Sequence, residues 1–204
     1  NLLEALGTPN KQACRVTRRS GSWVSTTWSS HVKNYDSYIG YILGTGTNTC
    51  YIENNKNILK KPDLDPDRNQ IINMETGNFG KGPRAKLDIA FDNTTGNPGT
   101  YTFEKMFSGG YFGGLCLSVL KTAAQEDVFT KETADKILSL DELTVEALNH
   151  FVSRSPDNRE PLYSCMANTT DEETCIGIIE GLIERSAKLV AANLASVVLK
   201  TDKG

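Results

Sequence analysis

Residues 171–200 place Ile176, Ile179, Ile183, Ala187, Val190, Leu194 and Val197 at steps of three and four. That spacing is one apolar stripe on an α-helix. At 1.5 Å per residue the helix is about 45 Å long. A helix of this length with a single apolar face needs a layer to lie on, because most helical stability comes from packing that face. Thr170-Asp-Glu-Glu173 has the pattern of a capping box at its start.

The layer is supplied by the first half of the chain. Tyr38-Ile-Gly-Tyr-Ile-Leu43 is apolar and β-rich, Gly44-Thr-Gly-Thr-Asn48 is a turn, and Thr49-Cys-Tyr-Ile-Glu53 alternates as a second strand. Residues 54–69 are polar, contain Pro62 and Pro66, and read as a loop. Gln70-Ile-Ile-Asn-Met-Glu75 is a third strand, broken by Thr76-Gly-Asn-Phe-Gly-Lys-Gly-Pro83. Strands at 38–43, 49–54 and 70–75 therefore predict one short antiparallel meander. Helices follow. Residues 84–92 form a short one, 96–99 a turn, and 101–124 a long apolar helical stretch. Within it Gly109, Gly110, Gly113 and Gly114 permit close packing against a backbone. Ser139-Leu-Asp-Glu142 predicts the cap of a further helix of about ten residues. The expected class is α/β, locally α+β: a meander followed by long helices, the last of them lying across the sheet face.

Composition narrows the function classes. With 204 residues, 38% hydrophobic and 23% charged, 17 Gly and 7 Pro, the chain is globular and not disordered or collagenous. A net charge of −3 gives no whole-molecule footprint for nucleic acid. No run of roughly 18 apolar residues exists, so no membrane helix is expected. Asn1-Leu-Leu-Glu-Ala-Leu-Gly7 lacks the basic start and long apolar stretch of a signal peptide. The five cysteines, Cys14, Cys50, Cys116, Cys165 and Cys175, show no zinc spacing and read as reduced thiols, hence a cytoplasmic protein. His31 and His150 are the only histidines, which excludes a His-rich metal site. Residues 1–37 are poorly specified. Lys11, Arg15, Arg18, Arg19 and Lys33 face only Glu4 and Asp36 there, no carboxylate lies between those two, and 14–31 has no helix or strand period.

Three features can carry chemistry. Successive N–H groups in the 44–48 turn form an anion-binding concavity, with glycines at positive φ and threonine hydroxyls as further donors, although the same residues also make an ordinary hairpin. Glu75 and Glu104 each offer two acceptor oxygens that grip neighbouring hydroxyls of a sugar, and Asn48 offers both donor and acceptor. Taken singly, each of the three reads first as a surface or cap residue.

In combination they are less ordinary. Gly44-Thr-Gly-Thr-Asn-Thr-Cys-Tyr-Ile-Glu53, then Ile72-Asn-Met-Glu-Thr-Gly-Asn-Phe-Gly80, then Asn97-Pro-Gly-Thr-Tyr-Thr-Phe-Glu-Lys-Met-Phe-Ser-Gly-Gly-Tyr-Phe-Gly-Gly114 resemble, in that order and spacing, the hexokinase family. The resemblance covers 38–204 and is strongest over 38–120. It implies the actin-like kinase fold, with 38–204 as part of the large domain. It implies ATP-dependent phosphorylation of a hexose, with Mg²⁺ arriving on the nucleotide. Gly44, Thr45, Gly46 and Thr47 match the family's second phosphate motif, and Asn48, Glu75 and Glu104 match its sugar-contacting Asn and two Glu. Where the family often has Gln three positions before the second Glu, this chain has Tyr101.

The departures imply a fragment. The family's first phosphate motif and small domain lie upstream of this chain, and its adenosine motif follows the long helix. The Leu-Asn-Asp-Thr segment that bears its catalytic base would fall near Ser22, where there is no carboxylate, so no catalytic residue is assigned. The segment 14–31 reads as a corrupted or frame-shifted copy, and the chain is expected to be inactive alone. Two other readings stay open: a non-catalytic sugar-binding or sensing protein, and a structural module that keeps the fold only. If Asn48, Glu75 and Glu104 share one sugar site, their polar atoms should lie within about 10 Å, one hexose with a hydrogen bond of about 2.7–3.2 Å at each end.

Overall fold

The computed structural model describes residues 15–18, 37–154 and 161–202. The chain order is β1 (Arg15–Arg18), β2 (Tyr38–Leu43), β3 (Thr47–Asn54), β4 (Asn69–Asn73), α1 (Lys86–Thr94), α2 (Phe112–Gln125), α3 (Lys131–Ser139), α4 (Val145–Val152), α5 (Pro161–Cys165) and α6 (Thr169–Thr201). The described residues form two units, one of 15–18, 37–76 and 187–202, the other of 77–154 and 161–186.

In the first unit the strands lie in the order β1-β2-β3-β4. The meander is as expected: β2 pairs antiparallel with β3, Ile39 opposite Tyr51, and β3 pairs antiparallel with β4, Tyr51 opposite Ile72. The loop between β3 and β4 opens with a 3₁₀ turn, Asn55–Asn57, whose cap is the Asn54 side chain accepting from the Lys56 N–H. β1 is a correction to the sequence reading, which saw no strand there. It runs parallel to β2, Arg15 opposite Tyr38. A short edge strand is held by main-chain hydrogen bonds, and these leave no mark in hydrophobic periodicity.

The C-terminal part of α6 covers the sheet, as the apolar stripe requires. Val190, Leu194 and Val197 are buried, as are Ile39, Tyr41 and Tyr51 on the strands. Polar bonds tie the helix to β3. Asn193 Nδ2 donates to Thr49 Oγ1 at 2.7 Å, and Lys200 Nζ stands 3.4 Å from the buried Glu53 carboxylate. The stripe is interrupted at Ile183, which is 42% exposed.

The second unit is helical. Its core joins Leu117 and Leu120 of α2, Ile137 of α3, Leu148 and Phe151 of α4, Leu162 of α5 and Ile179 of α6. The expected single helix over 101–124 is divided in two. A 3₁₀ turn, Glu104–Met106, ends at Phe107 with φ −160, and α2 starts only at Phe112. Two consecutive glycines, Gly109 and Gly110, give little support to a helix through the gap. Close packing at the glycines does occur: a Cβ on Gly113 would overlap the Leu143 carbonyl oxygen, and one on Gly114 would press the Phe91 ring.

Two caps also differ from the sequence reading. Ser139 is the last residue of α3, and α4 is capped by Thr144, which accepts from the Ala147 N–H at 3.1 Å. At α6 the capping side chain is Asn168, whose Oδ1 accepts from the Asp171 N–H at 2.9 Å. Asp171 itself turns inward. Its carboxylate accepts from the Thr130 N–H (3.1 Å), the Thr130 hydroxyl (2.5 Å), the Thr133 hydroxyl (2.6 Å) and Asn168 Nδ2 (3.1 Å). It thereby stitches the start of α6 to the start of α3.

Burial alone would raise the Asp171 carboxyl, but the hydrogen bonds from Thr130, Thr133 and Asn168 outweigh it and hold the group below the usual aspartate range. A depressed folded-state value means stability that is present above the unfolded aspartate value of about 3.9 and lost as pH falls through the folded one. The thermal midpoint is therefore expected to drop below about pH 4. Asp171→Asn should lower the midpoint at neutral pH and make it fall less on acidification. An unchanged acid limb in that variant would show that Asp171 does not supply it.

Candidate functional site

The end of the sheet where β2 turns into β3 holds most of the sequence-predicted site residues. The turn is closed by the Gly44 N–H donating to the Gly46 carbonyl at 2.9 Å. Gly44 does not take a left-handed φ here, contrary to expectation, and nothing lies within 4 Å of the place its Cβ would take. Gly44 and Thr45 are exposed. Thr47 is buried, its Oγ1 3.0 Å from the Ile42 carbonyl oxygen and 3.2 Å from the Tyr41 hydroxyl. The Thr47 hydroxyl braces the hairpin, and the exposed part of the turn is its tip at Gly44 and Thr45.

The next residue, Asn48, makes all four hydrogen bonds that a side-chain amide can make. Its Oδ1 accepts from the Thr49 N–H (2.7 Å) and the Thr76 N–H (3.2 Å). Its Nδ2 donates to Asn73 Oδ1 (2.8 Å) and to Glu75 Oε1 (3.3 Å). The two backbone donors fix which way the amide points. Asn73 closes a ring by donating its own Nδ2 to Glu75 Oε1 at 2.6 Å. Both carboxylate bonds fall on Oε1, and Oε2 accepts from none of the described residues.

Glu75 was expected at the end of a strand. The strand stops at Asn73, and Glu75 sits two residues beyond it with φ 52, a left-handed conformation that costs an L-residue about 1–2 kcal/mol. Beneath it is a buried polar chain: Asn193 Nδ2 donates to Thr49 Oγ1, which lies 3.3 Å from Thr76 Oγ1. The long helix thus supports the segment that holds both Asn48 and Glu75.

Glu104 belongs to the other unit. It is half-buried and opens the Glu104–Met106 turn, and its carbonyl accepts from the N–H groups of Phe107 and Ser108. The neighbouring Lys105, 2% exposed, sets that turn in place. Its three ammonium protons go to Asp92 Oδ1 (2.6 Å), Thr95 Oγ1 (2.8 Å) and the Asn97 carbonyl (2.7 Å). Asp92 also receives Arg84 Nη1 at 3.2 Å and the Gly99 N–H at 3.0 Å. Phe103 packs edge-on against Phe79 and Phe107, and the Tyr101 N–H donates to Asn78 Oδ1 at 3.0 Å. The loop after Glu75 and the segment bearing Glu104 are therefore knitted together within this unit.

Of the three expected sugar residues, Asn48 and Glu75 are in direct contact, and Glu104 is built separately on its own scaffold. Asn73, Thr76, Asn193 and Lys105 were not singled out from sequence. Asn73 carried a signal, since it stands two residues before Glu75 and on the strand next to the one that bears Asn48. Asn193 carried none, lying among the apolar positions of a helix.

A family model described as Hexokinase matches residues 38–204. Hexokinase-1 of Schizosaccharomyces pombe is 32% identical over 93% of this chain and 43% of the relative. Hexokinase-like 1 protein of Arabidopsis thaliana is 28% identical over 93% of the chain and 40% of the relative. Human Hexokinase-2 is 31% identical over 89% of the chain and 21% of the relative. A solved hexokinase from Schistosoma mansoni, complexed with glucose, superposes with a TM-score of 0.68 at 23% identity, over 80% of this chain and 40% of that one. A second structure, a crystal structure of hexokinase, gives a TM-score of 0.57 at 26% identity, over 81% and 36%. The chain spans about 40% of the length of the first of these curated relatives.

Proposed function

This chain belongs to the hexokinase family and has the family's actin-like fold, and on that premise we propose that its residues serve the ATP-dependent phosphorylation of a hexose, glucose foremost, at O6. The observation that carries the reading is the contact of Asn48 with Glu75. Two polar residues from separate motifs meet beside the 44–47 turn, one of them in a strained backbone conformation. Strain of this kind persists where surrounding structure imposes it and is concentrated at functional positions. Residues 38–204 are read as part of the large domain, with 1–37 as a separate segment. His31 and the position near Ser22 lie outside the described residues.

The roles follow from the chemistry of the groups. Glu75 and Glu104 accept hydrogen bonds from sugar hydroxyls, and Asn48 donates one. The backbone of the turn at Gly44, Thr45, Gly46 and Thr47 faces the phosphates of ATP. Phosphoryl transfer depends chiefly on such positioning and on charge neutralisation. Among the described residues no group of three or more His, Cys, Asp or Glu could hold a metal ion. The described cysteines Cys50, Cys116, Cys165 and Cys175 are free and buried. Among the described residues no helix is long and apolar enough to cross a membrane.

Binding without turnover is the second reading. It is favoured by one observation, the lack of any Asp or Glu between Glu4 and Asp36, where the base would stand. A positioned base contributes typically about 10²–10⁴-fold. Calorimetric titration with D-glucose, alongside an ADP-release assay with Mg·ATP, tests the sugar assignment that both readings share. Saturable binding that Asn48→Ala weakens about tenfold or more, without ADP release, is the expected result. Ordinary turnover by this chain would place a base elsewhere in it. No glucose binding at all would remove the sugar assignment.

A further inference from the structure

The Asn48–Asn73–Glu75 ring has a consequence for how a ligand enters. Asn48 spends both of its Nδ2 hydrogens inside the ring, and Glu75 receives both of its bonds on Oε1. A sugar hydroxyl can donate to the open Oε2 of Glu75 directly, but it can accept from Asn48 only by replacing one of these bonds. The three are unequal: 2.6 Å for Asn73 to Glu75, 2.8 Å for Asn48 to Asn73, and 3.3 Å for Asn48 to Glu75. Charge-assisted bonds at the short end of the range are the strong ones, and a bond past the usual 3.2 Å is weak. The longest edge of the ring is thus the one that opens. All three residues are accessible to solvent, so the exchange needs no burial or unfolding step.

We infer that Asn73 is a positioning residue of the sugar site: it pins the Asn48 donor through its Oδ1 and the Glu75 acceptor through its Nδ2, leaving the gap between them for a hexose hydroxyl. The inference rests on the reading of Asn48 and Glu75 as sugar contacts. Asn73 suits the role because its amide joins an acceptor and a donor at a fixed separation, so one side chain orients two unlike partners. Glu75 needs such a guide. It lies outside the strand ladder, in a left-handed conformation, with a side chain open to water. A freely rotating carboxylate would lose rotamer freedom on binding, and an oriented one has already lost it.

The test is calorimetric titration of D-glucose into the 204-residue chain and its variants, with thermal midpoints measured in parallel. Asn73→Ala should weaken glucose binding about 5- to 10-fold, the scale of one hydrogen bond lost. Asn73→Asp keeps the size and the acceptor but sets a second carboxylate against Glu75 Oε1, and like charges at that distance drive each other apart. It should therefore weaken binding more than Asn73→Ala does. Asn73 is exposed, so neither change should move the thermal midpoint appreciably. A residue that merely occupies the surface would show the opposite order, since aspartate is the closer match in shape. Wild-type binding with both variants within twofold of it overturns the role of Asn73 and leaves the sugar assignment standing. Asn73→Asp binding as well as or better than Asn73→Ala also overturns it. A wild-type chain that does not bind glucose overturns the sugar assignment and this inference with it.

Discussion

Replacing Lys105 by Met should destabilise the protein by about 3–5 kcal/mol, the range for removing one partner of a buried ion pair. Lys105 and Asp92 are both almost fully shielded from solvent, with side-chain exposures of 2% and 5%. The loss goes beyond the pair. The ammonium also holds the Thr95 hydroxyl and the Asn97 carbonyl, so three acceptors lose a donor at once. Burial alone would raise the Asp92 carboxyl. The Lys105 hydrogen bond, the Gly99 N–H and the charges of Lys105 and Arg84 outweigh it and keep the group below the usual aspartate range. In the variant only Arg84 and the Gly99 N–H remain to hold that charge. Urea unfolding followed by circular dichroism measures the change. The double variant Lys105→Met with Asp92→Leu should recover part of the loss, because it removes the stranded buried carboxylate, while Arg84 and the Gly99 N–H lose their acceptor. A single variant that loses less than about 1 kcal/mol, as an exposed pair would, would mean that the buried cluster does not hold the segment of Glu104.

Substituting Glu75 by Gly should move stability and binding in opposite directions. At φ 52 the glutamate adopts a backbone conformation that glycine takes without steric cost. Relief of that strain should raise stability by about 1 kcal/mol, or about 2–4 °C in midpoint for a chain of this size. The carboxylate that accepts from Asn48 and Asn73 disappears in the same change. Glucose binding should fall about 10-fold or more, as for a lost charged hydrogen bond. Glu75→Gln separates the two effects, since it keeps the strained backbone and the shape but not the charge. It should bind glucose poorly with no gain in midpoint. If the midpoint of Glu75→Gly is no higher than that of Glu75→Gln, the left-handed conformation carries no strain worth relieving. If it binds glucose like the wild type, Glu75 is not a sugar contact.

Taken together, these variants distinguish a site held ready from one assembled by its ligand. Asn48 is locked by two backbone donors, Glu75 by a strained turn and by Asn73, and the turn of Glu104 by a buried lysine. Asn48 and Glu75 are oriented by the fold itself and the backbone of Glu104 is fixed, as the proposed site would need in order to avoid ordering its side chains at the moment of binding.

Much of this arrangement is written in local patterns. Strand pairs 38–43 with 47–54, and 47–54 with 69–73, follow from alternation and turn residues, because a side-chain period of two is a property of the extended chain itself. The long α6 follows in the same way from steps of three and four, and its stripe is buried at Ile176, Ile179, Val190, Leu194 and Val197. The motif order brought out Asn48, Glu75 and Glu104. What periodicity does not encode is which polar group answers which. β1 exists because β2 offered an unpaired edge, the Asn168 cap because its oxygen reached the Asp171 N–H, and the break before α2 where Phe107 leaves the helical backbone conformation. Glu75 in its left-handed turn, Asn73 beside it and Asn193 beneath Thr49 are positions that read as ordinary strand or helix residues in the chain. Only tertiary structure decided them, because hydrogen bonds between residues as far apart as Thr49 and Asn193 are chosen by three-dimensional proximity and by the cost of leaving a buried polar group unpaired. Neither has a period along the sequence.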